Sequence, residues 1–161
     1  MQNAVMDMTI RRGEPADARL LADLAAGTFR ETYAIQNRPE DMALYVSRAY
    51  GLSQQVAELA NPEMATLLAE VDGQLAGYAQ LRASTVPDCV MGVRPLEVWR
   101  FYVASSWHGR GVAHALMKSV ELEARAREAH TLWQTDRIMV RSLPGEPVVH
   151  FSPGDADGAH R

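Results

Sequence analysis

Between an apolar run over residues 96–103 and a helical run over 113–129 the chain reads His108-Gly109-Arg110-Gly111-Val112-Ala113. The first amides of a helix have no acceptor within it, so they point at whatever lies beyond its N-terminus. Glycine has no Cβ, and an anion can come close to its main chain. The chemistry this spacing offers is the binding of a phosphate-bearing ligand by backbone N–H groups. Gly-Arg-Gly alone serves equally well as an ordinary strand-to-helix turn. Two familiar phosphate loops are excluded: there is no Gly-x-x-x-x-Gly-Lys-Ser/Thr, and no Gly-x-Gly-x-x-Gly with an acidic residue on a second strand.

Other reactive side chains offer less. His108, His114, His130, His150 and His160 are spread over two kinds of element and a tail, and no pair has a convincing ligand spacing with cysteine or carboxylates, so no metal is expected. Cys89 follows Pro87-Asp88 in a loop and has no recognisable partner for a nucleophilic role. Lys118 lies two turns into the helix and reads as part of a solvated face.

Elements must hold the loop in place. Met8-Thr9-Ile10-Arg11-Arg12 reads as a short strand, and Gly13-Glu14-Pro15 opens a helix. Leu20, Leu21, Leu24 and Phe29 carry that helix to about Ile35. Asn37 is a possible cap for a second helix with Met42, Tyr45, Val46 and Ala49 on its apolar face. Gly51-Leu52-Ser53 breaks it, and residues 54–60 form one more short helix. The pattern then changes. Residues 65–71 and 75–81 read as strands joined by Asp72-Gly73, a hairpin signal. A loop over 84–95 leads to the strand 96–103. After the glycine loop, Val112, Ala115, Leu116, Val120 and Leu122 fall at helical intervals. Thr131-Leu132-Trp133 begins another strand, completing a strand–helix–strand crossover, and Ile138-Met139-Val140 is strand-like. A single domain over residues 1–143 and a Pro/Gly-rich, poorly ordered tail over 144–161 are expected.

Composition limits the function classes. With 161 residues the chain has enough length for one domain with a real core. Its net charge of −4 advertises neither nucleic acid nor an anionic membrane as a partner. No apolar run approaches the ~20 residues of a membrane helix. The start of the chain lacks the basic-then-apolar pattern of a signal peptide. One cysteine excludes an intrachain disulfide and fits a reducing cytoplasm.

The context of the loop resembles a known family. Glu97-Val98-Trp99-Arg100-Phe101-Tyr102-Val103, then His108-Gly109-Arg110-Gly111-Val112-Ala113, then an Ala/Leu-rich helix resemble motif A of the GCN5-related N-acetyltransferases (GNAT). The family pattern Gln/Arg-x-x-Gly-x-Gly/Ala falls on His108, Gly111 and Ala113, with His108 replacing the usual first residue. Thr28-Phe29-Arg30-Glu31-Thr32-Tyr33, Pro39-Glu40-Asp41-Met42, the hairpin from Leu68 to Tyr78 and Gln134-Thr135-Asp136-Arg137-Ile138-Met139 are similar to the polyamine N-acetyltransferase-like subgroup. The likeness covers about residues 8–143. It implies an α/β (α+β) fold: a central mixed, mostly antiparallel sheet flanked by helices, with an incomplete C-terminal part. It also implies acetyl-CoA as co-substrate. Its pyrophosphate would lie on His108, Gly109, Arg110, Gly111, Val112 and Ala113, and its pantetheine arm along the main chain of the strand that ends in Phe101, Tyr102 and Val103.

One departure stands out. The family's next helix usually carries Asn-x-x-Ala-x-x-x-Tyr, whose tyrosine can protonate the departing thiolate. Here Thr131-Leu132-Trp133 resembles the strand before that helix, and Gln134 already resembles the start of the last strand. A helix of ~12 residues, most of two strands and their loops, on the order of 35 residues, are expected to be missing. A native deletion, an internal deletion in the gene and a segment left out of the numbering are all open. The last two are favoured, because an open sheet edge and core face cost stability. If 131–143 formed one continuous strand beside 96–103, exposed apolar faces would favour a homodimer that exchanges C-terminal strands.

Under the resemblance, the reaction is acetyl transfer to a primary amine of a small molecule, in the subgroup a polyamine, by direct attack in a ternary complex. The reaction needs a base and donors for the carbonyl oxygen. In a regular strand residues 97, 99, 101 and 103 share one face. Glu97 is the ionisable member of that face, among Trp99, Phe101 and Val103, and is the candidate base, with an expected raised pKa. Capping a strand end or pairing with an arginine is the alternative reading of Glu97. Tyr102 would face the other way. The general acid has no assigned residue. Tyr33 and Tyr45 lie on helices that line the acceptor side in the family; packing is their alternative role. Without the segment that carries the acid, the chain could instead be a CoA-binding or dimerising protein that does not transfer acetyl groups.

Overall fold

A computed structural model describes residues 5–33, 37–134 and 139–142. Six strands form one sheet in sequence order: β1 (Met8–Arg12), β2 (Met64–Val71), β3 (Gln74–Arg82), β4 (Pro95–Val103), β5 (Thr131–Gln134) and β6 (Met139–Ser142). Every neighbouring pair is antiparallel except β4–β5, which is parallel. The expected mixed, mostly antiparallel sheet is therefore present. The helices are α1 (Ala18–Tyr33), α2 (Pro39–Ala49), α3 (Leu52–Ala60) and α4 (Val112–Ala126). The tail beyond Ser142, Ile35 and the segment 135–138 lie outside the described residues.

The helices cover both faces of the sheet. Val112, Leu116, Val120 and Ala124 of α4 pack on Leu67, Ala79, Leu81, Leu96 and Val98. Leu21 and Ala25 of α1 and Val46 of α2 pack on Leu68 and Tyr78, the alternate residues of the same strands. A strand covered on both sides loses the polar half of its alternation. The near-continuous burial of β2 and β3 is the result. Leu20 and Leu122, read as members of apolar faces, are instead 61% and 63% exposed. Each lies one or two positions off the stripe its helix buries.

Local chemistry accounts for several boundaries. Asp72 (φ 50°) and Gly73 (φ 78°) both adopt the left-handed backbone of a two-residue type I′ hairpin. Proline opens a 3-10 turn, Pro15–Asp17, before α1 begins. Asn37 does not cap α2: Arg38 holds that position, and the Asn37 amide donates to the Tyr33 carbonyl at the end of α1. The helix after the glycine loop stops at Ala126 rather than continuing to Ala129. Glu128 turns left-handed (φ 62°), and the Ala129 amide donates back to the Ala124 carbonyl. That is a Schellman closure. At the C-terminal side, residues 131–143 are not one continuous strand. β5 takes the place beside β4, and β6 folds back antiparallel on β5, pairing Thr131 with Ser142 and Gln134 with Met139.

Candidate active site

β4 organises the site. Its pairing with β3 matches Gln80 with Arg100 and then Leu81 with Val98, leaving Trp99 as an extra residue. This β-bulge inverts the alternation of side chains along the strand. Phe101 and Val103 therefore pack with Leu96 and Val98 against α4. Glu97, Arg100 and Tyr102 lie on the opposite face, with Tyr78 and Gln80. The expected common face of residues 97, 99, 101 and 103 is thus corrected. Tyr102 stands on the same side as Glu97, not across the sheet from it.

The surroundings of Glu97 are ionic rather than apolar. Its carboxylate is 1% exposed and accepts a hydrogen bond from Arg82 Nε at 2.7 Å. The Arg82 guanidinium lies 3.8 Å from the centre of the Trp99 ring. Beside this pair is a second buried ion pair that sequence reading missed. Arg100 Nη1 donates to Glu58 Oε2 and to Gln80 Oε1, each at 2.8 Å, and its guanidinium lies 3.7 Å from the Trp99 ring centre. Gln80 Nε2 donates onward to Glu58 at 3.1 Å. Burial pushes the Tyr50 phenol up to about 12, against the opposing pull of Arg100, and pushes Tyr78 higher still. Both phenols are neutral at physiological pH. The available signal for this network was an arginine and a glutamine inside strands that otherwise read as buried apolar runs.

Among the described residues β5 pairs only with the start of β4. Their pairing runs Pro95–Thr131, Leu96–Leu132 and Glu97–Trp133, and stops there. From Val98 to Val103 the β5-side edge of β4 has no strand partner among the described residues. Glu97 stands at the last described β4–β5 pair, and the glycine loop follows the other end of this stretch of β4. At ~3.3 Å per residue the edge from Glu97 to Val103 spans about 20 Å. An extended chain with amide groups can pair with such an edge as another strand would.

The loop that follows β4 is built for close approach. β4 ends at Val103, a 3-10 turn follows at Ser105–Trp107, and Gly111 (φ 84°) precedes the first residue of α4. Gly109 (φ 74°) is also left-handed. A Cβ built on either glycine meets nothing within 4 Å. Both glycines are therefore required by backbone conformation, and the space in front of them is open. The amides of Val112, Ala113 and His114 head α4 and have no acceptor within the helix. An array of free amides facing open space beside left-handed glycines fits a pyrophosphate.

The other loop side chains are already engaged. The His108 ring Nε2 bonds the Val103 carbonyl at 2.7 Å, closing the loop on the end of β4. The Arg110 guanidinium lies 5.2 Å from the Trp107 ring centre. The Ser105 amide donates to Glu31 Oε2, tying α1 to the loop. Tyr33 and Tyr45, expected on the acceptor side, each lie 4.7 Å from Phe29, ring centre to ring centre. Tyr50 joins the group at 5.6 Å from Phe29, and Arg100 lies over its ring. The structure therefore gathers Tyr33 and Tyr45 into one aromatic surface on the Glu97 face of the sheet. Among the described residues no three metal-ligating side chains cluster, and no helix is long and apolar enough to cross a membrane.

Comparison with known proteins agrees with this geometry. An uncharacterized N-acetyltransferase of Lactobacillus delbrueckii subsp. lactis is 29% identical over 66% of this chain, which spans 61% of that protein's length. An aminoglycoside N(6')-acetyltransferase type 1 of Stenotrophomonas maltophilia is 30% identical over 81% of this chain and 76% of its own. The crystal structure of the PaiA N-acetyltransferase of Thermoplasma acidophilum in complex with coenzyme A superposes with a TM-score of 0.68. That likeness covers 80% of this chain and 78% of the other at 17% identity, and it shows the shared fold. The sequence profile of the acetyltransferase (GNAT) family matches residues 22–141, and this chain belongs to that family.

Proposed function

We propose that this chain is an acetyl-CoA-dependent N-acetyltransferase acting on a primary amine of a small molecule, by direct attack in a ternary complex. One observation carries the reading. A stretch of β4 with no strand partner on its β5 side among the described residues leads from the open glycine loop to a buried carboxylate, Glu97, at the last described β4–β5 pair. Bound acetyl-CoA supplies the acyl group as an activated thioester. The amides of Gly109, Arg110, Gly111, Val112 and Ala113 hold its pyrophosphate, and the main chain of Phe101, Tyr102 and Val103 holds its pantetheine arm. The aromatic surface of Tyr33, Phe29 and Tyr45 borders the amine. Glu97 takes the amine proton through a water, while Arg82 fixes the carboxylate and balances its charge. Polyamines are the acceptor class suggested by the sequence. The aminoglycoside-acetylating relative makes a second polyamino class worth the same assay.

A competing reading rests on one observation. Only residues 135–138 lie between β5 and β6, fewer than the ~12 residues expected of the family's acid-bearing helix. On that reading the protein binds CoA, or dimerises, without transferring the acetyl group. Thiol release from acetyl-CoA, measured with and without spermidine, separates the two. Amine-stimulated release supports transfer, and CoA binding without it supports the competing reading. Glu97→Gln is expected to reduce the amine-dependent rate by about 10²-fold or more while CoA binding persists. An unchanged rate in a folded variant removes Glu97 from the reaction.

A further inference from the structure

Trp133 is the last residue of β5 to pair with β4, and its partner is Glu97. Paired residues of adjacent strands project from the same face of a sheet. Trp133 therefore stands beside the Glu97 carboxylate. It is 4% exposed, yet its indole Nε1–H has no acceptor among the described residues. A buried N–H without a partner is costly, and native proteins rarely keep one without a reason. The Glu97 carboxylate beside it accepts from Arg82 instead.

We propose that the Trp133 indole N–H donates to the carbonyl oxygen of the acetyl thioester, a role that rests on the acetyltransferase reading above. As the amine nitrogen bonds to the carbonyl carbon, the C=O electron pair moves onto the oxygen and strengthens this hydrogen bond. The C–S bond then breaks, its electrons leave on sulfur, and the thiolate is protonated by solvent. The amine proton passes to Glu97 through a water. A donor fixed where charge develops favours the transition state over the ground state.

The test uses the full chain labelled with 15N-tryptophan, which gives indole N–H signals from Trp99, Trp107 and Trp133. Trp133→Phe assigns one of them. Free CoA and a ketone analogue of acetyl-CoA, with a methylene between sulfur and the acetyl carbonyl, are then titrated separately. Both are expected to shift the Trp107 signal beside the glycine loop, whereas the Trp133 signal moves downfield with the analogue alone. Trp133→Phe is expected to lower kcat by about tenfold to a hundredfold with the KM for acetyl-CoA little changed. A Trp133 signal that responds identically to both ligands, or a Trp133→Phe enzyme with wild-type kcat, overturns the proposal. If neither ligand shifts any indole signal, CoA does not bind and the acetyltransferase reading itself fails.

Discussion

Alanine at Gly111 separates the conformational role of the glycine loop from its proposed role in holding phosphate. Gly111 sits at φ 84°, and a Cβ there meets nothing within 4 Å. No packing clash accompanies the substitution, so its cost to folding is the left-handed backbone penalty of about 1–2 kcal/mol. For a chain of this length each kcal/mol lowers Tm by roughly 2–4 °C, so the expected loss is about 2–8 °C. Gly73 is the matched control: it is left-handed at φ 78°, equally free of neighbours, and lies in the β2–β3 hairpin. Both variants should lose similar stability. Only Gly111→Ala should lose CoA, because Gly111 caps α4 at the proposed phosphate site and its added Cβ would take up open space there. A tenfold loss corresponds to about 1.4 kcal/mol, and calorimetric titration resolves it. Thermal unfolding gives a second readout: CoA at a hundred times its Kd stabilises the wild type and Gly73→Ala by about 2.7 kcal/mol. The same CoA concentration should stabilise Gly111→Ala distinctly less. If Gly111→Ala loses the stability but binds CoA like the wild type, the loop backbone does not hold the phosphates.

Two further predictions concern the scaffold. Arg100→Met leaves the Glu58 carboxylate buried beside Gln80 without its cation. It should cost about 3–5 kcal/mol by urea unfolding, and adding Glu58→Leu should restore a large part of that. A double variant no more stable than the single one would show that the network does not owe its stability to charge pairing. Arg11 grips Asp17 through two hydrogen bonds, at 2.7 and 2.9 Å, and holds its carboxyl below the usual carboxylate range. The stability this lends is complete above about pH 4 and is lost as pH falls through the lowered value. Asp17→Asn should therefore be less stable than the wild type at pH 7, and the difference should shrink below pH 4. A gap that stays constant between pH 7 and pH 3 would refute the linkage.

Much of the molecule was legible because its signals are local. The Asp72-Gly73 turn, the stripe Val112–Leu116–Val120 and the glycine loop at the strand-to-helix junction depend on near neighbours in the chain. So did the strand–helix–strand crossover that sets the loop at the end of β4. The site's inner face was not legible. One extra residue at Trp99 reverses every side chain after it, and a strand sequence does not reveal where its partner skips a residue. That bulge put Tyr102 on the Glu97 side and sent Phe101 and Val103 to α4. Arg82 meets Glu97 across fifteen residues and Arg100 meets Glu58 across forty-two, pairings fixed only by strand register and helix packing. Sequence by itself determined which residues could bind a phosphate or carry a proton. Tertiary structure decided which of them face one another, because register and burial, not spacing along the chain, set those distances.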